Sequence, residues 1–211
     1  MKENERIITY FLDKMKKKDL DTHTHLLHVH TVTKAILSTL PDELLQGVDQ
    51  EKLLMAAFLH DIGKVEIPDE ILNKDGELNA DEWEIIMQHP LKGKCMVEGT
   101  SLREIGDWLL YHHERVDGRG YHGIMGKYIP LEARIIAVAD TFSALRTNRA
   151  YRDAQSIDET MRIMRNAAGL QLDAQIIECF LRDEEFVKNI PCPDDPHRWR
   201  KHSARIRYDC A

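Results

Sequence analysis

Several features of membrane, secreted and zinc-ribbon proteins are missing from this 211-residue sequence. The longest apolar run, Leu53–Leu59, is far shorter than the roughly 20 residues that a membrane-spanning helix needs. The opening MKENERI has no hydrophobic signal region, and the four cysteines are scattered without a CxxC pair. The sequence therefore indicates no membrane span and no disulfide framework, and we expect a cytoplasmic protein.

Basic residues are also fewer than acidic residues. The sequence has 29 Lys and Arg against 36 Asp and Glu, which gives a formal net charge of −7 at pH 7. A negative net charge argues against binding of bulk nucleic acid. An anionic substrate would therefore need a local cationic pocket or a metal ion. Histidine is the residue in surplus, with eleven copies that fall mostly before residue 123.

No stretch shows the period-two alternation of a half-buried strand, and helical periodicity recurs instead. Capping patterns at Asn79–Glu82, Ser101–Glu104 and Ser156–Glu159 predict helix starts. Residues 114–129 hold four glycines and predict a loop. The predicted fold class is all-α, a compact multi-helix bundle with one glycine-rich loop.

The stretch LLMAAFLHDIGK (53–64) brings polar side chains to the end of an apolar helix. His60 and Lys64 lie one helical turn apart, and Asp61 lies about 100° round from His60. Buried imidazole, carboxylate and ammonium groups are costly unless something compensates them. A divalent metal ion with a phosphate beside it would compensate all three, whereas a solvated helix end is the alternative if this stretch stands alone.

Polar side chains of this kind recur on or at the ends of apolar helices in five segments. The seven candidate metal ligands are His28, His60, Asp61, His89, His112, His113 and Asp140. Imidazole and carboxylate together suit iron, manganese, zinc or nickel. Seven ligands fit two ions that share a bridge, and Asp61 offers two oxygens for that purpose. His23, His25 and His30 are expected outside this ligand set, as solvated or supporting residues.

Five blocks follow one another in a fixed order: LHDIGKVEIPDEIL (59–72), EWEIIMQHP (82–90), YHHERVDGRGY (111–121), RIIAVADTFSAL (134–145) and NRAYR (148–152). Together they resemble the HD-GYP type of the HD superfamily of metal-dependent phosphohydrolases. The resemblance covers residues 20–182, which we expect to form a catalytic domain between an N-terminal helix (1–19) and a loosely packed C-terminal extension (183–211). It implies an HD-type helical bundle that hydrolyses cyclic di-GMP, or a related cyclic dinucleotide, at a centre of two divalent ions, usually iron or manganese.

The resemblance also implies a role for individual residues. One ion would be held by His28, His60, Asp61 and Asp140, and the other by Asp61, His89, His112 and His113. Asp61 and Lys64 would be catalytic, with Lys64 binding a phosphate or protonating the leaving 3′ oxygen. Tyr121, Arg149 and Arg152 would bind the substrate. Members with three metal ions carry a glutamate one turn before the first histidine, and Thr24 at that position predicts two ions here.

Three departures from the family pattern stand out, of which the replacement of the expected Phe and Pro by Leu172 and Ala174 is a packing change. His122 replaces the signature proline after Gly120 and Tyr121, which leaves open whether a signalling partner protein docks at this loop. Ser143 stands where a second aspartate is usual, and its absence is expected to weaken metal binding without abolishing it. The expected reaction converts cyclic di-GMP to linear pGpG. A hydrolase of another nucleotide or phosphate ester, and a non-catalytic cyclic dinucleotide receptor, are the alternatives, and no oligomeric state is indicated.

Overall fold

The structure, a computed structural model, describes residues 3–147, 153–193, 195–203 and 206. These residues form α-helices and three short 3-10 helices, and no β-strand occurs among them, so the all-α prediction is confirmed. The α-helices are α1 (Glu3–Lys18), α2 (Leu20–Leu37), α3 (Gln50–Leu59), α4 (Asp69–Leu72), α5 (Ala80–Ile86), α6 (His89–Glu98), α7 (Gly106–Tyr111), α8 (Leu131–Arg146), α9 (Ile157–Ala167), α10 (Ala174–Phe180), α11 (Glu184–Lys188) and α12 (Pro196–Ser203). The 3-10 helices are Ile62–Glu66, Arg103–Ile105 and Gly126–Tyr128.

Short polar side chains start several helices where the sequence predicts them. Asn79 accepts the backbone N–H of Glu82 at 2.9 Å, and the Glu82 carboxylate accepts the N–H of Asn79 at 2.8 Å, which completes a capping box. Ser156 caps α9 in the predicted position. The capping box predicted at Ser101–Glu104 is wrong, because a 3-10 helix covers Arg103–Ile105 and α7 starts only after it.

The core is built around α2, which packs against both α3 and α8. The facing side chains are apolar and fully buried, among them Leu26, Val29 and Leu59, with α1 covering one side. The same buried faces carry the histidines and aspartates of the candidate site. Among the described helices, none combines the length and hydropathy of a membrane span.

A close backbone contact joins the segment after α3 to the start of α6. A Cβ atom at Gly63 would lie 2.0 Å from the carbonyl oxygen of His89 and 2.6 Å from the backbone nitrogen of Gly93. Only glycine permits this approach, because it has no side chain. The contact brings His89 next to Asp61.

The C-terminal segment packs more closely than the sequence predicts. Trp199 of α12 is 8% exposed, and its ring meets the ring of His28 edge to face at a centroid distance of 5.6 Å. The Nε2 atom of His202 lies 3.0 Å from Oγ1 of Thr31. The expectation of a loosely packed extension is therefore corrected for the part of α12 whose side chains the structure describes.

Candidate metal centre and catalytic site

Asp61 occupies the centre of the candidate site. It follows α3, and its side chain is only 3% exposed. Its Oδ1 atom lies 2.9 Å from Nε2 of His89 and 3.7 Å from Nε2 of His112. Its Oδ2 atom lies 3.5 Å from Nε2 of His60 and 2.6 Å from Nζ of Lys64. The two carboxylate oxygens therefore face two separate groups of side chains.

These two groups contain most of the predicted ligands. The first group is Asp61, His89, His112 and His113, and the second is His25, His60 and Asp61; within each, the potential ligand atoms lie within 4.8 Å of one another. Asp140 of α8 adjoins the second group, because its Oδ1 lies 2.9 Å from Nε2 of His25 and 4.0 Å from Nε2 of His60. The structure thus brings together six of the seven predicted ligands, all except His28.

Backbone carbonyl groups set the orientation of three of these histidines. Nδ1 of His60, His89 and His112 donates to the carbonyl oxygen three residues earlier in the chain, at 2.9, 2.7 and 2.7 Å. A carbonyl oxygen only accepts, so the imidazole proton lies on Nδ1. The Nε2 atom of each ring is then unprotonated and available as a metal ligand.

Most of the potential ligand atoms of the two groups lack hydrogen-bond partners among the described residues. The Nε2 atoms of His25, His60, His89 and His112, together with Oδ1 of Asp61, are buried and accept or donate no hydrogen bond there. An unsatisfied buried polar group costs about 1–3 kcal/mol. A divalent metal ion that takes imidazole and carboxylate ligands would satisfy these atoms together, so the residues fit such an ion.

Burial and neighbouring charges set the protonation states that metal binding requires. Burial lowers the pKa of His60 to about 4, so its imidazole is neutral at pH 7. Burial alone would raise the pKa of Asp61, but the Lys64 ammonium and the nearby histidines hold that pKa well below its usual range. Burial of Asp140 is likewise outweighed by the contact with His25, and its pKa is also well below the usual range. Neutral imidazoles and ionised carboxylates are the forms that bind metals.

The structure corrects the choice of the first histidine. His28 is fully buried, but its Nδ1 atom lies 2.9 Å from the Ser143 hydroxyl and its ring packs against Trp199. His25, three residues earlier in α2, instead reaches Asp140 at 2.9 Å. Both histidines lie on the face of α2 that packs on α8, and helical periodicity alone does not distinguish them.

With His25 as the first histidine, a different residue lies one helical turn before it. That position is now Asp21, an exposed residue in the first turn of α2, rather than Thr24. The sequence-based reason for expecting two ions rested on Thr24, which lacks a carboxylate. That reason no longer applies.

A cavity of about 300 Å³ opens beside the two groups of donors. Its lining includes Asp61, Lys64, His113, Arg115 and Gln171. Lys64 is 17% exposed and places its ammonium 2.6 Å from the shared carboxylate. A phosphate bound in this cavity would therefore meet a cation, despite the negative net charge of the chain.

Glu114 holds the glycine-rich loop beside the cavity. Glu114 is 4% exposed, and its carboxylate accepts the backbone N–H groups of His122 and Ile124 at 2.6 and 2.8 Å. This places the ring of Tyr121 at a centroid distance of 4.8 Å from the ring of His113. Burial raises the pKa of Tyr121 to about 12, so the phenol stays protonated. The sequence did not single out Glu114, and its position directly after the two histidines was the available signal.

The two arginines predicted to hold substrate phosphates are not part of this description. Arg149 and Arg152 lie outside the residues that the structure describes. Their roles remain predictions.

Comparisons with known proteins agree on a family. A family model described as "HD domain" matches residues 11–176. The chain is 38% identical to the 3′3′-cGAMP-specific phosphodiesterase 1 of Vibrio cholerae, over 76% of this chain and 38% of that protein. It is 41% identical to the cyclic di-GMP phosphodiesterase response regulator RpfG of Xanthomonas campestris, over 68% of this chain and 40% of that protein. The chain thus spans about two fifths of the length of these relatives.

A solved structure gives the same fold. The cyclic GMP-AMP specific phosphodiesterase V-cGAP3 of V. cholerae superposes with a TM-score of 0.63 at 15% identity, over 94% of this chain and 53% of that one. At this identity the likeness concerns the fold alone.

Proposed function

Because this chain belongs to the HD domain family, in agreement with the HD-GYP resemblance of its sequence, we propose that it is a metal-dependent phosphodiesterase acting on a cyclic dinucleotide. One observation carries the proposal: the two oxygens of Asp61 face separate groups of metal-ligating side chains, with Lys64 in the adjoining cavity. Both curated relatives are named as cyclic dinucleotide phosphodiesterases. The proposed reaction opens cyclic di-GMP to linear pGpG.

Two divalent ions are proposed, because two groups of donors share one carboxylate. One ion would be held by His25, His60, Asp61 and Asp140, and the other by Asp61, His89, His112 and His113. Iron and manganese are the first candidates, and zinc and nickel suit the same ligands. When bound, such ions supply Lewis acidity toward phosphate oxygens and lower the pKa of an attacking water.

The remaining chemistry is proposed for the other side chains that the sequence singles out. Lys64 either binds a phosphate oxygen or donates a proton to the leaving 3′ oxygen, and its ammonium lies within reach of the shared carboxylate. Tyr121 would line the nucleotide groove, and the contact of its ring with His113 supports that role. Arg149 and Arg152 would hold phosphate oxygens through their planar guanidinium groups.

The extent and location of the catalytic unit are also proposals. Residues 20–182 would form the catalytic domain, with the N-terminal helix and the C-terminal segment packed on it. A cytoplasmic location is proposed from the sequence, which has neither a signal region nor a long apolar run. The sequence leaves open whether a signalling partner protein docks at the glycine-rich loop, because His122 replaces the signature proline.

The proposal is tested with anaerobically purified protein, stripped of metal and reloaded with Fe²⁺ or Mn²⁺. The loaded protein is incubated with cyclic di-GMP, 3′3′-cGAMP or cyclic di-AMP, and the products are separated by chromatography. Metal-dependent formation of a linear dinucleotide supports the proposal. Binding of all three dinucleotides without turnover in fully loaded protein would contradict it and favour a receptor, and turnover of other phosphate esters alone would favour a different hydrolase.

A further inference from the structure

A chain of polar contacts runs from the candidate metal centre into the interface between α2 and α8. The hydroxyl oxygen of Ser143 lies 2.9 Å from Nδ1 of His25 and 2.9 Å from Nδ1 of His28. Ser143 and His28 are fully buried, so bulk water does not compete for these contacts. On its other side, His25 places Nε2 at 2.9 Å from Asp140. These polar contacts therefore link Asp140 to His28 through His25 and Ser143.

The number of available protons determines which atom donates and which accepts in each of these hydrogen bonds. A serine hydroxyl has a single proton, so it donates to only one of the two Nδ1 atoms and accepts from the other. His25 can present Nε2 to a metal ion only if its proton lies on Nδ1. Nδ1 of His25 then donates to Ser143, and Ser143 donates to Nδ1 of His28. The proton of His28 is left on Nε2.

The surroundings of His28 agree with that arrangement. Its Nε2 atom is buried and has no hydrogen-bond partner among the described residues. The ring of Trp199 meets the ring of His28 at an interplanar angle of 84°, the edge-to-face geometry in which an N–H can face an aromatic ring. Burial lowers the pKa of His28 to about 3, so the ring is neutral and carries one proton.

We propose that Ser143 and His28 are positioning residues that hold His25 in its Nδ1–H tautomer, and that Trp199 shields this pair from water. A neutral hydroxyl accepts from His25 while its own proton needs a buried acceptor, and His28 provides one. The inference rests on the proposed metal centre, because it concerns the ring that would bind the ion. It assigns a role to a histidine outside both groups of donors and to the C-terminal helix.

The tautomers are measured in wild-type protein loaded with Zn²⁺, a diamagnetic ion that takes the same ligands, by long-range ¹H–¹⁵N spectra of ¹⁵N-labelled histidine at neutral pH. Signals are assigned through their loss in His25→Ala and His28→Asn. We expect the proton of His25 on Nδ1 and that of His28 on Nε2. The opposite pattern at either ring would overturn the inference. Because this measurement needs no turnover, its outcome is independent of whether the proposed reaction occurs.

Metal titration of the stripped protein supplies the second test. Ser143→Ala should bind Mn²⁺ about 10–100-fold more weakly than wild type, whereas Ser143→Thr keeps the hydroxyl and should restore binding. Thr33→Val is the matched control, because it also removes a fully buried hydroxyl, one on α2 that has no hydrogen-bond partner among the described residues. Unchanged affinity in Ser143→Ala, or an equal loss in Thr33→Val, would overturn the proposed role of Ser143.

Substitutions of His28 separate positioning from packing. Asparagine keeps an acceptor close to the place of Nδ1, whereas leucine fills space without one. We therefore expect His28→Asn to retain Mn²⁺ affinity and His28→Leu to lose it about as far as Ser143→Ala does. Equal affinity in the two variants would contradict a role for the acceptor. If neither variant folds, the tautomer measurement on wild type still decides the inference.

Discussion

Nε2 of His89 lies 2.9 Å from Oδ1 of Asp61, although both atoms are acceptors once Nδ1 of His89 donates to a backbone carbonyl. Two buried acceptors at this distance repel each other unless a cation lies against both. Lys64 neutralises only the other oxygen of the carboxylate. The contact therefore makes chemical sense as part of a metal centre in which Asp61 is shared.

The corrected choice of first histidine leads to a prediction for two residues of α2. His25→Ala should lower the affinity of the second group of donors for metal by at least about 100-fold, since a ligand is removed outright. His23→Ala is the control, because His23 is only partly buried and lies outside both groups. The metal content of both variants after dialysis is compared with that of wild type by mass spectrometry. Equal metal loss in the two variants would contradict the assignment.

The close approach at Gly63 leads to a prediction about stability. Gly63→Ala would drive a Cβ atom into the carbonyl of His89, so the start of α6 must shift. We expect the free energy of unfolding to fall by at least about 1–3 kcal/mol. Gly99→Ala adds the same methyl group where nothing lies within 4 Å and should change stability by less than about 0.5 kcal/mol. Urea unfolding of the metal-free proteins gives both values, and equal midpoints would refute the steric argument.

Glu114 is predicted to control the glycine-rich loop. In Glu114→Gln the amide oxygen can accept one backbone N–H, while the amide nitrogen faces the other donor. The lost charge-assisted bonds are worth about 1.5–3 kcal/mol each. Amide hydrogen exchange at His122 and Ile124 should therefore become faster, and KM for a cyclic dinucleotide should rise more than kcat falls.

Glu70→Gln is the matched control for this loop prediction. Glu70 is an exposed glutamate in α4, and the same change there should leave exchange at the loop unaffected. Unaltered loop exchange in Glu114→Gln would show that its carboxylate does not hold the loop.

The burial of His28 predicts a dependence of stability on pH. Its pKa is about 3 in the folded protein and about 6.5 in an unfolded chain, so between these values the unfolded chain binds one more proton. Stability therefore falls as pH drops below about 6.5, by up to about 1.4 kcal/mol per pH unit from this group. Asparagine does not bind this proton, so the free energy of unfolding of His28→Asn should fall less than that of wild type as the pH drops. Parallel curves of unfolding free energy against pH would contradict the prediction.

Local sequence patterns predicted the all-α class, several helix starts and the residues of the apolar run that ends at Asp61. Caps such as Asn79 act on N–H groups three residues away, and the apolar run of α3 leads directly to His60 and Asp61. The choice between His25 and His28 depends on how α2 packs on α8, which no periodicity along one helix can show.

The C-terminal segment illustrates the same limit at longer range. The run around Trp199 is rich in basic residues and resembles a solvated tail. Its contacts are with α2, and His202 and Thr31 are 171 residues apart in the chain. Such a contact becomes visible only in the folded structure.

The most direct test of the central claim is chromatographic product analysis of metal-loaded protein incubated with cyclic di-GMP, with Asp61→Asn run in parallel. Loss of a carboxylate shared by both groups of donors should slow turnover by at least about 100-fold. We predict that linear pGpG appears with wild type and is nearly absent with the variant. Intact cyclic di-GMP after exhaustive incubation with loaded wild type, or equal turnover by Asp61→Asn, would contradict a phosphodiesterase built around Asp61.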